Sequence, residues 1–591
     1  MRLWFGKFLW KIYLLKTLFV ILLAVTTILF ISPLPTKIFK KEKYIHSTFE
    51  EENLLTANVG CVISNASVDD IYSSLNVIQT TKVATCPPAL LTSGVSSLFL
   101  KEKSTVDTLN FNCCYFAGHK EQENINCTGI NLSKPMVVND EFITVKCFSN
   151  GKQKVFEDYF TFVPLETHTS LTVERNVPNI LIILLKDIST NEFQKHMPST
   201  YKFFKDRPSN AIEFLAFQPS KETVQKLLFY FNNKQHRDDQ FVTLHSIWRD
   251  FQKWGYKVAV ADNMNDETPF GTESASPNYN PKQFWSKRIS TGLNPGTLCI
   301  GSKQPDDILL EYILKFTTTM KEHNAPYFGF FREMYVSTYK DNLLLSADKK
   351  FRSLFDNLYE SGALKNTFLF FLSEVDFKKE YRPKNPFFWL LVPDGFTKSE
   401  RNSFINMQIN SRALITVHDI TVTLKDLLKL YTDFKPAFQD NFSLLTPITN
   451  LRSCDLSHIP VDTCVCFPIK YQISNQLLLE VNQYVINYLN YELKRYPESS
   501  KKCPPFVTFE VLYGFSHEAP ASKILNGKRY ITIVFNTNFN VPYWAIVKQI
   551  GTDNTKIFSI VDSVKLYEPK RGEIATSCLT INTQLDDYCH C

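Results

Sequence analysis

Residues 179–185 read Asn-Ile-Leu-Ile-Ile-Leu-Leu, an apolar run that follows Pro178 and ends at Lys186. A run of this length and composition is typical of a strand that is buried on both faces of a sheet. Similar runs recur along the chain and alternate with helical patterns, which predicts an α/β fold with a doubly wound, mostly parallel sheet. The predicted strands are 179–185, 257–261, 327–331, 367–372 and 387–392, and the predicted helices are 197–204, 242–254, 343–360 and 420–430.

Cysteine residues are concentrated on both sides of this central region and are nearly absent within it. Together with four Asn-X-Ser/Thr sequons, they predict smaller disulfide-rich β or α+β segments at both ends and an oxidised, glycosylated polypeptide. The adjacent pair Cys113-Cys114 is expected to bond to other cysteines, because vicinal disulfides are strained. A four-thiolate zinc site built from the two Cys-X-Cys pairs is the less favoured alternative. The predicted disulfide cysteines are Cys61, Cys86, Cys113, Cys114, Cys127, Cys147, Cys454, Cys464, Cys466, Cys503, Cys578, Cys589 and Cys591, and the predicted glycosylation sites are Asn65, Asn126, Asn131 and Asn441.

Residues 12–32 are predominantly apolar and are about long enough to cross the hydrocarbon core of a bilayer. We favour an uncleaved signal anchor over a cleaved signal peptide, because no small-X-small cleavage site follows the apolar run. With the cysteines and sequons placed in the lumen, the anchor predicts type II topology. Of the residues up to Lys43, eight are basic and one is acidic, so the net charge of +6 belongs to this end and does not support nucleic-acid binding elsewhere.

These features divide the chain into six predicted segments. They are a cytoplasmic tail at 1–11, a transmembrane anchor at 12–32, a juxtamembrane stalk at 33–60, a cysteine-rich β module at 61–170, an α/β domain at 177–449 and a cysteine-rich α+β segment at 450–591.

Several short segments occur in a fixed order along the chain. They are Pro178-Asn-Ile-Leu-Ile-Ile, Met197-Pro-Ser-Thr-Tyr-Lys-Phe-Phe, Trp248-Arg-Asp-Phe with Gly255-Tyr256, the stretches 362–373 and 418–428, Cys464-Val-Cys466 and Tyr588-Cys-His-Cys591. In this order they resemble the sulfatase and alkaline phosphatase superfamily, and most closely a group of animal ectoproteins catalogued as Domain of Unknown Function family two-two-nine. The resemblance implies a sheet of alkaline phosphatase/sulfatase type with its site at the carboxyl ends of the strands. In active relatives, Asp and His hold divalent metals there, and a Ser, Thr or modified Cys attacks a phosphate or sulfate ester.

The chain departs from this pattern at three expected metal-ligand positions. Lys186 occupies a position where the family has an aspartate, and Val375 and Thr421 occupy positions where it has histidines. An ammonium and an isopropyl group do not coordinate metal, and the missing imidazoles are ligands that zinc sites of this kind need. Thr223 occupies the position of the nucleophile, where a helix cap is the alternative role. The residual candidate metal ligands are Asp187, Glu374, Asp376 and Asp419.

The sequence therefore predicts a catalytically inactive, sulfatase-like ectodomain that needs no cofactor and has a binding or structural role. One N-terminal helix would attach it to the membrane, with the ectodomain in the Golgi lumen, at the cell surface or shed. A glycan or protein ligand is compatible with this prediction, since Lys186 would suit an anionic sugar. The alternative is a phosphate or sulfate ester hydrolase with a remodelled zinc site.

Overall fold

The computed structural model describes about three fifths of the chain and forms two compact units, one within Glu50–Ile469 and one within Lys470–His517 and Gly527–Cys591. No helix in this part of the chain is long and apolar enough to cross a membrane. The predicted tail and anchor lie outside the described residues. The described residues are 54–57, 61–64, 86–100, 111–117, 127–131, 134–149, 153–164, 177–219, 223–231, 244–262, 277–281, 284–285, 299–333, 341–375, 385–434, 442–449, 452–454, 457, 459, 463–466, 470–495, 504–517, 529–538, 542–551 and 556–566.

The larger unit begins with short antiparallel strands. They are β1 (Leu54–Ala57), β2 (Val62–Ser64), β3 (Leu91–Ser93), β4 (Ser97–Leu100), β5 (Phe111–Ala117), β6 (Thr128–Ile130), β7 (Met136–Val137), β8 (Phe142–Ser149) and β9 (Gln153–Thr161). They form sheets of order β1-β2, β3-β4-β7 and β6-β5-β8-β9. Leu98, Val145 and Phe162 belong to the buried core of this part. The N-proximal region is thus β-rich, as its short alternating stretches predict.

The rest of the larger unit is built on a six-stranded sheet. Its strands and their short companions are β10 (Asn179–Lys186), β11 (Ala211–Glu213), β12 (Ala216–Gln218), β13 (Phe229–Phe231), β14 (Leu244–Ser246), β15 (Lys257–Asp262), β16 (Tyr327–Glu333), β17 (Thr367–Glu374), β18 (Phe388–Leu391) and β19 (Leu414–Thr416). The order in the six-stranded sheet is β11-β18-β17-β10-β16-β15, and the four strands from β17 to β15 are parallel. β18 and β11 are antiparallel to their neighbours. The predicted mostly parallel sheet is confirmed.

Helices connect these strands. They are α1 (Thr190–His196), α2 (Pro198–Lys205), α3 (Thr223–Leu228), α4 (Ile247–Lys253), α5 (Pro305–Glu322), α6 (Asp341–Glu360), α7 (Asp394–Ser399), α8 (Arg401–Asn410) and α9 (Val417–Tyr431). The helices predicted at 197–204, 343–360 and 420–430 are confirmed. The helix predicted at 242–254 is wrong over its first residues, because Leu244–Ser246 pairs with Phe229–Phe231 as β14. Tertiary pairing there overrides the helical pattern.

The central strand β10 is buried on both faces. Leu181, Ile183 and Leu185 lie in one hydrophobic core. Ile182 and Leu184 lie in a second hydrophobic core on the opposite face, because successive side chains of a strand alternate. This double cover explains the continuous apolar run and confirms the predicted α/β class.

The smaller unit is an antiparallel sheet of order β20-β21-β22-β23-β24 with one packed helix. Ile531 and Ile533 of the sheet share a core with Val481 and Val485 of the helix. The strands are β20 (Lys470–Gln472), β21 (Thr508–His517), β22 (Arg529–Thr537), β23 (Pro542–Ile550) and β24 (Ile557–Leu566), and the helix is α10 (Asn475–Arg495).

Disulfide bonding, predicted from cysteine usage, is confirmed. Cys113 and Cys114 are neighbours on β5, so their side chains leave opposite faces and bond to different partners. Cys299, which the sequence left unassigned, bonds to Cys86. The described pairs are Cys61–Cys466, Cys86–Cys299, Cys113–Cys147, Cys114–Cys127 and Cys454–Cys464, whereas Cys503, Cys578, Cys589 and Cys591 lie outside the described residues.

Candidate functional site

The carboxyl ends of the central parallel strands bring charged side chains together. Register places Lys186 of β10 beside Glu374 of β17, and Leu184 beside Arg332 of β16. Side chains two residues apart, and those in register on neighbouring parallel strands, share a face. Lys186, Arg332 and Glu374 therefore lie on the face of the second core, at the edge where such sheets hold ligands.

An ion pair between Arg332 of β16 and Glu374 of β17 lies across the end of β10. Arg332 Nε donates to Glu374 Oε1 at 2.7 Å, and its Nη2 contacts the same oxygen. The pair is buried, with Arg332 9% and Glu374 8% exposed. A guanidinium thus balances the charge of the Glu374 carboxylate and engages its Oε1 atom.

Lys186 and Asp187 end the strand. Lys186 is half-buried, and its ammonium makes no ion pair or hydrogen bond with any residue in the described part of the chain. Asp187 has φ +54°, a left-handed conformation that Asp tolerates better than most residues. Its backbone N–H donates to the Glu374 carbonyl at 2.7 Å, and the turn leads to Ser189, which caps α1. Asp187 therefore belongs to a turn rather than to the strand.

Asp419 is fully buried at the start of α9. Its Oδ2 accepts from the Thr416 backbone N–H at 2.7 Å and from Arg452 Nη1 at 2.6 Å. Thr416 and Asp419 form a capping box, which satisfies free amide groups at the start of the helix. Asp419 is thus engaged by a helix cap and a second arginine.

Thr421 and Thr223 are also buried. The Thr421 hydroxyl donates to the Leu227 carbonyl of α3 at 3.2 Å and to the Val417 carbonyl at 3.3 Å. Thr223 is the first residue of α3. Because Leu227 and Val417 both lie in the second core, the elements that carry Thr223 and Asp419 pack on the face that carries Lys186 and Glu374.

Two further predicted positions lie within the described residues. Val375 follows β17 and is buried, and Asn131 is exposed after β6. Asp376 lies outside the described residues. The same is true of Asn65, Asn126 and Asn441.

The donor set does not fit a zinc ion. The two buried carboxylates, Glu374 and Asp419, are each bonded to a guanidinium, and the nearest strand end carries the Lys186 ammonium. Asp419 Oδ1 is buried and accepts no hydrogen bond from the described residues, but a divalent cation beside it or beside Glu374 would meet the positive charge of an arginine. Within the described ranges, the one group of cysteine, histidine and carboxylate atoms close enough for a metal is Cys454, Cys464 and Cys466, and all three are in disulfides.

Sequence reasoning missed both arginines. Arg332 directly follows the apolar run 327–331, so a charged residue at a predicted strand end was the available signal. Arg452 lies 33 residues after Asp419 in a segment without regular pattern, and no sequence signal links the two.

Comparison with known proteins gives one family and a set of distant folds. No curated protein matches the chain. A protein in the alkaline phosphatase superfamily from Vibrio parahaemolyticus is 10% identical over 65% of this chain and 82% of that chain, with TM-score 0.33. The lipoteichoic acid synthase LtaP from Listeria monocytogenes is 12% identical over 69% of this chain and 91% of that chain, with TM-score 0.31. The C-terminal periplasmic domain of phosphoethanolamine transferase EptC from Campylobacter jejuni is 12% identical over 46% of this chain and 94% of that chain, with TM-score 0.31.

These structural likenesses are loose, and no residue role is taken from them. The family match is of a different kind, because it spans most of the chain and both compact units contribute to it. The model of the family described as Protein of unknown function (DUF229) matches residues 73–511, and the chain therefore belongs to this family.

Proposed function

We propose that this chain is a catalytically inactive, membrane-anchored ectodomain with a binding or structural role. The observation that carries the proposal is that the two buried candidate carboxylates are each paired with an arginine. Glu374 pairs with Arg332, and Asp419 pairs with Arg452. A metal-dependent hydrolase would need such carboxylates to balance the charge of its ions, and here a guanidinium balances each of them.

Charge at the strand end argues in the same direction. Two unit charges 4 Å apart repel by about 4 kcal/mol at an effective dielectric constant of about 20, and a divalent ion doubles that figure. The repulsion is smaller at larger separations, and the ammonium of Lys186, a residue in register with Glu374, would oppose an ion held there. In the proposed inactive protein, no metal would be present to activate the hydroxyl of Thr223 as a nucleophile.

The compartment is inferred from covalent chemistry and from the N-terminal sequence. Five described disulfides suit an oxidising lumen or extracellular space. The apolar run 12–32 supplies the anchor, and exposed Asn131 is accessible for glycosylation. Golgi, cell-surface and shed forms all fit these features.

A ligand class follows from Lys186. A half-buried ammonium at the edge where such sheets bind ligands suits an anionic group, and a sulfated or phosphorylated glycan carries one. We propose this as the form that a binding role would take.

The test uses the purified ectodomain, metal analysis and turnover of an aryl phosphate and an aryl sulfate. We expect no stoichiometric zinc, and no turnover above that of Thr223→Ala. Stoichiometric zinc, with turnover lost in Thr223→Ala and retained in Thr223→Ser, would establish the alternative, a hydrolase with a remodelled site. For ligand binding, we expect a sulfated oligosaccharide to bind the unaltered protein and Lys186→Arg, and to lose affinity for Lys186→Ala.

A further inference from the structure

Two disulfides of the larger unit share one cluster of sulfur atoms. Cys454 bonds to Cys464, and Cys61 bonds to Cys466. The Sγ atoms of Cys454, Cys464 and Cys466 all lie within 4.8 Å of one another. Each of the four cysteines is at most 4% exposed. A free thiolate at one of these positions would therefore lie close to a disulfide of the same cluster.

The backbone favours one of the sulfurs as a leaving group. The amide N–H of Cys466 donates to Cys464 Sγ at 3.3 Å, a bond that the Cys-Val-Cys spacing makes possible. A donor of this kind stabilises negative charge on the sulfur. Exchange rates rise as the leaving thiolate becomes more stable, so cleavage that releases Cys464 is favoured over cleavage that releases Cys454.

We propose that Cys454, Cys464 and Cys466 form a thiol–disulfide exchange site that a dithiol opens by reducing the Cys61–Cys466 bond. The dithiol is oxidised to its own disulfide and leaves thiols at Cys61 and Cys466. The Cys466 thiolate then attacks Cys454 Sγ. The Cys454–Cys464 bond breaks, a Cys454–Cys466 bond forms, and the electron pair leaves on Cys464, which takes up the proton that Cys466 gave up.

Thiol–disulfide exchange in this cluster would affect the candidate functional site through hydrogen bonds of Gln218. The Gln218 side chain donates to the Thr463 carbonyl at 2.9 Å and accepts from the Val465 N–H at 2.9 Å. Gln218 ends β12, shortly before Thr223 in the chain. A new partner for Cys454 therefore shifts a segment that is bonded directly to the strand leading to α3, which makes the cluster a redox-sensitive part of the fold.

The sharpest test is Cys61→Ser in the full chain, because it creates the Cys466 thiol without any reductant. The purified protein is quenched in acid, alkylated with N-ethylmaleimide and mapped by tandem mass spectrometry. We expect alkylation at both Cys464 and Cys466, with Cys464 the major site and a Cys454–Cys466 linkage recovered. Alkylation at Cys466 alone, with Cys454–Cys464 intact, would overturn the proposal.

The chain contains a matched control. In Cys127→Ser, the freed Cys114 is adjacent in sequence to the Cys113–Cys147 disulfide, but neighbouring residues of β5 point to opposite faces. We expect alkylation at Cys114 alone. If Cys61→Ser does not accumulate, graded dithiothreitol on the unaltered protein gives the same readout. Cys61 with Cys464 as the first alkylated pair supports exchange, and Cys61 with Cys466 refutes it.

Discussion

Replacing Arg332 by methionine tests whether the strand-end ion pair holds the central sheet together. Arg332→Met keeps most of the aliphatic volume and leaves the Glu374 carboxylate 8% exposed with its guanidinium removed. Breaking a buried pair on one side costs about 3–5 kcal/mol, because the remaining charge is desolvated without a counterion. An exposed pair would cost only about 0–1 kcal/mol.

The double variant Arg332→Met/Glu374→Leu separates pairing from packing. Replacing both charges by apolar groups of similar volume is often neutral or stabilising, so we expect the double variant to recover most of the loss. The difference is the coupling energy of the pair.

The assay is native-state hydrogen exchange of the strand peptides 179–186 and 367–374, which reports the larger unit by itself. We expect the slowest amides to lose about 3–5 kcal/mol of protection in Arg332→Met and to regain it in the double variant. If the single variant costs less than about 1 kcal/mol, the pair behaves as a solvated one. The inference that it blocks the metal position would then fail.

Three further variants test other features by the same unfolding and exchange measurements. Asp419→Asn removes the ion pair with Arg452 and replaces the carboxylate of the capping box by a neutral amide, and we expect a loss of about 3 kcal/mol or more. Glu311 is half-buried, and desolvation by itself would raise its pKa, but two lysine ammonium groups outweigh this and lower the pKa to about 2. Its contribution is therefore complete above the ordinary value of 4.5 and is lost as pH falls through about 2, so Glu311→Gln should cost about 3 kcal/mol at pH 6 and little at pH 2. In Gly301→Ala, a methyl at φ +60° would lie 2.1 Å from a buried carboxylate oxygen, and we expect a loss of about 2 kcal/mol or more.

Each variant has a control or an outcome that contradicts it. His418→Asn changes the exposed neighbour of Asp419 and should stay within about 0.5 kcal/mol. Equal losses of stability in Asp419→Asn and His418→Asn would contradict a stabilising role for the pair between Asp419 and Arg452. A pH-independent cost in Glu311→Gln would mean that its charge is not the source of stability. Gly395→Ala, where a methyl meets nothing within 4 Å in a helix, should gain up to about 1 kcal/mol, and the same gain at Gly301 would contradict the close approach.

The central sheet could be predicted because burial on both faces leaves a direct trace in the sequence. Strands β10 and β17 read as continuous apolar runs, and no other common element of that length does so. The direction of β18 could not be predicted, because an antiparallel strand buried on both faces reads the same way as a parallel one. Helix α5 was missed even though Pro305 and the acids after it are start signals of the kind that helices use.

The candidate site could be predicted only in part, for a physical reason. Missing ligands are visible in the sequence, because Lys186 and Val375 can be read directly against a resemblance. What replaces them is a matter of distance in three dimensions. Arg332 reaches Glu374 across the end of β10 from a strand that is not its neighbour, and only the order β17-β10-β16 reveals that the two can meet.

The ion pair between Arg332 and Glu374 affects how the missing metal ligands are interpreted. A buried carboxylate needs a positive partner, and in a metal site the ion provides it. Here Arg332 is that partner for Glu374, so the charge of this carboxylate is already balanced without a metal. Val375→His alone would restore an imidazole beside a carboxylate that remains bound to a guanidinium, and the ammonium of Lys186 would still face any incoming cation. The proposed lack of a metal therefore rests on added positive charge as much as on absent donors, and we expect that a change at any one ligand position does not create a metal site.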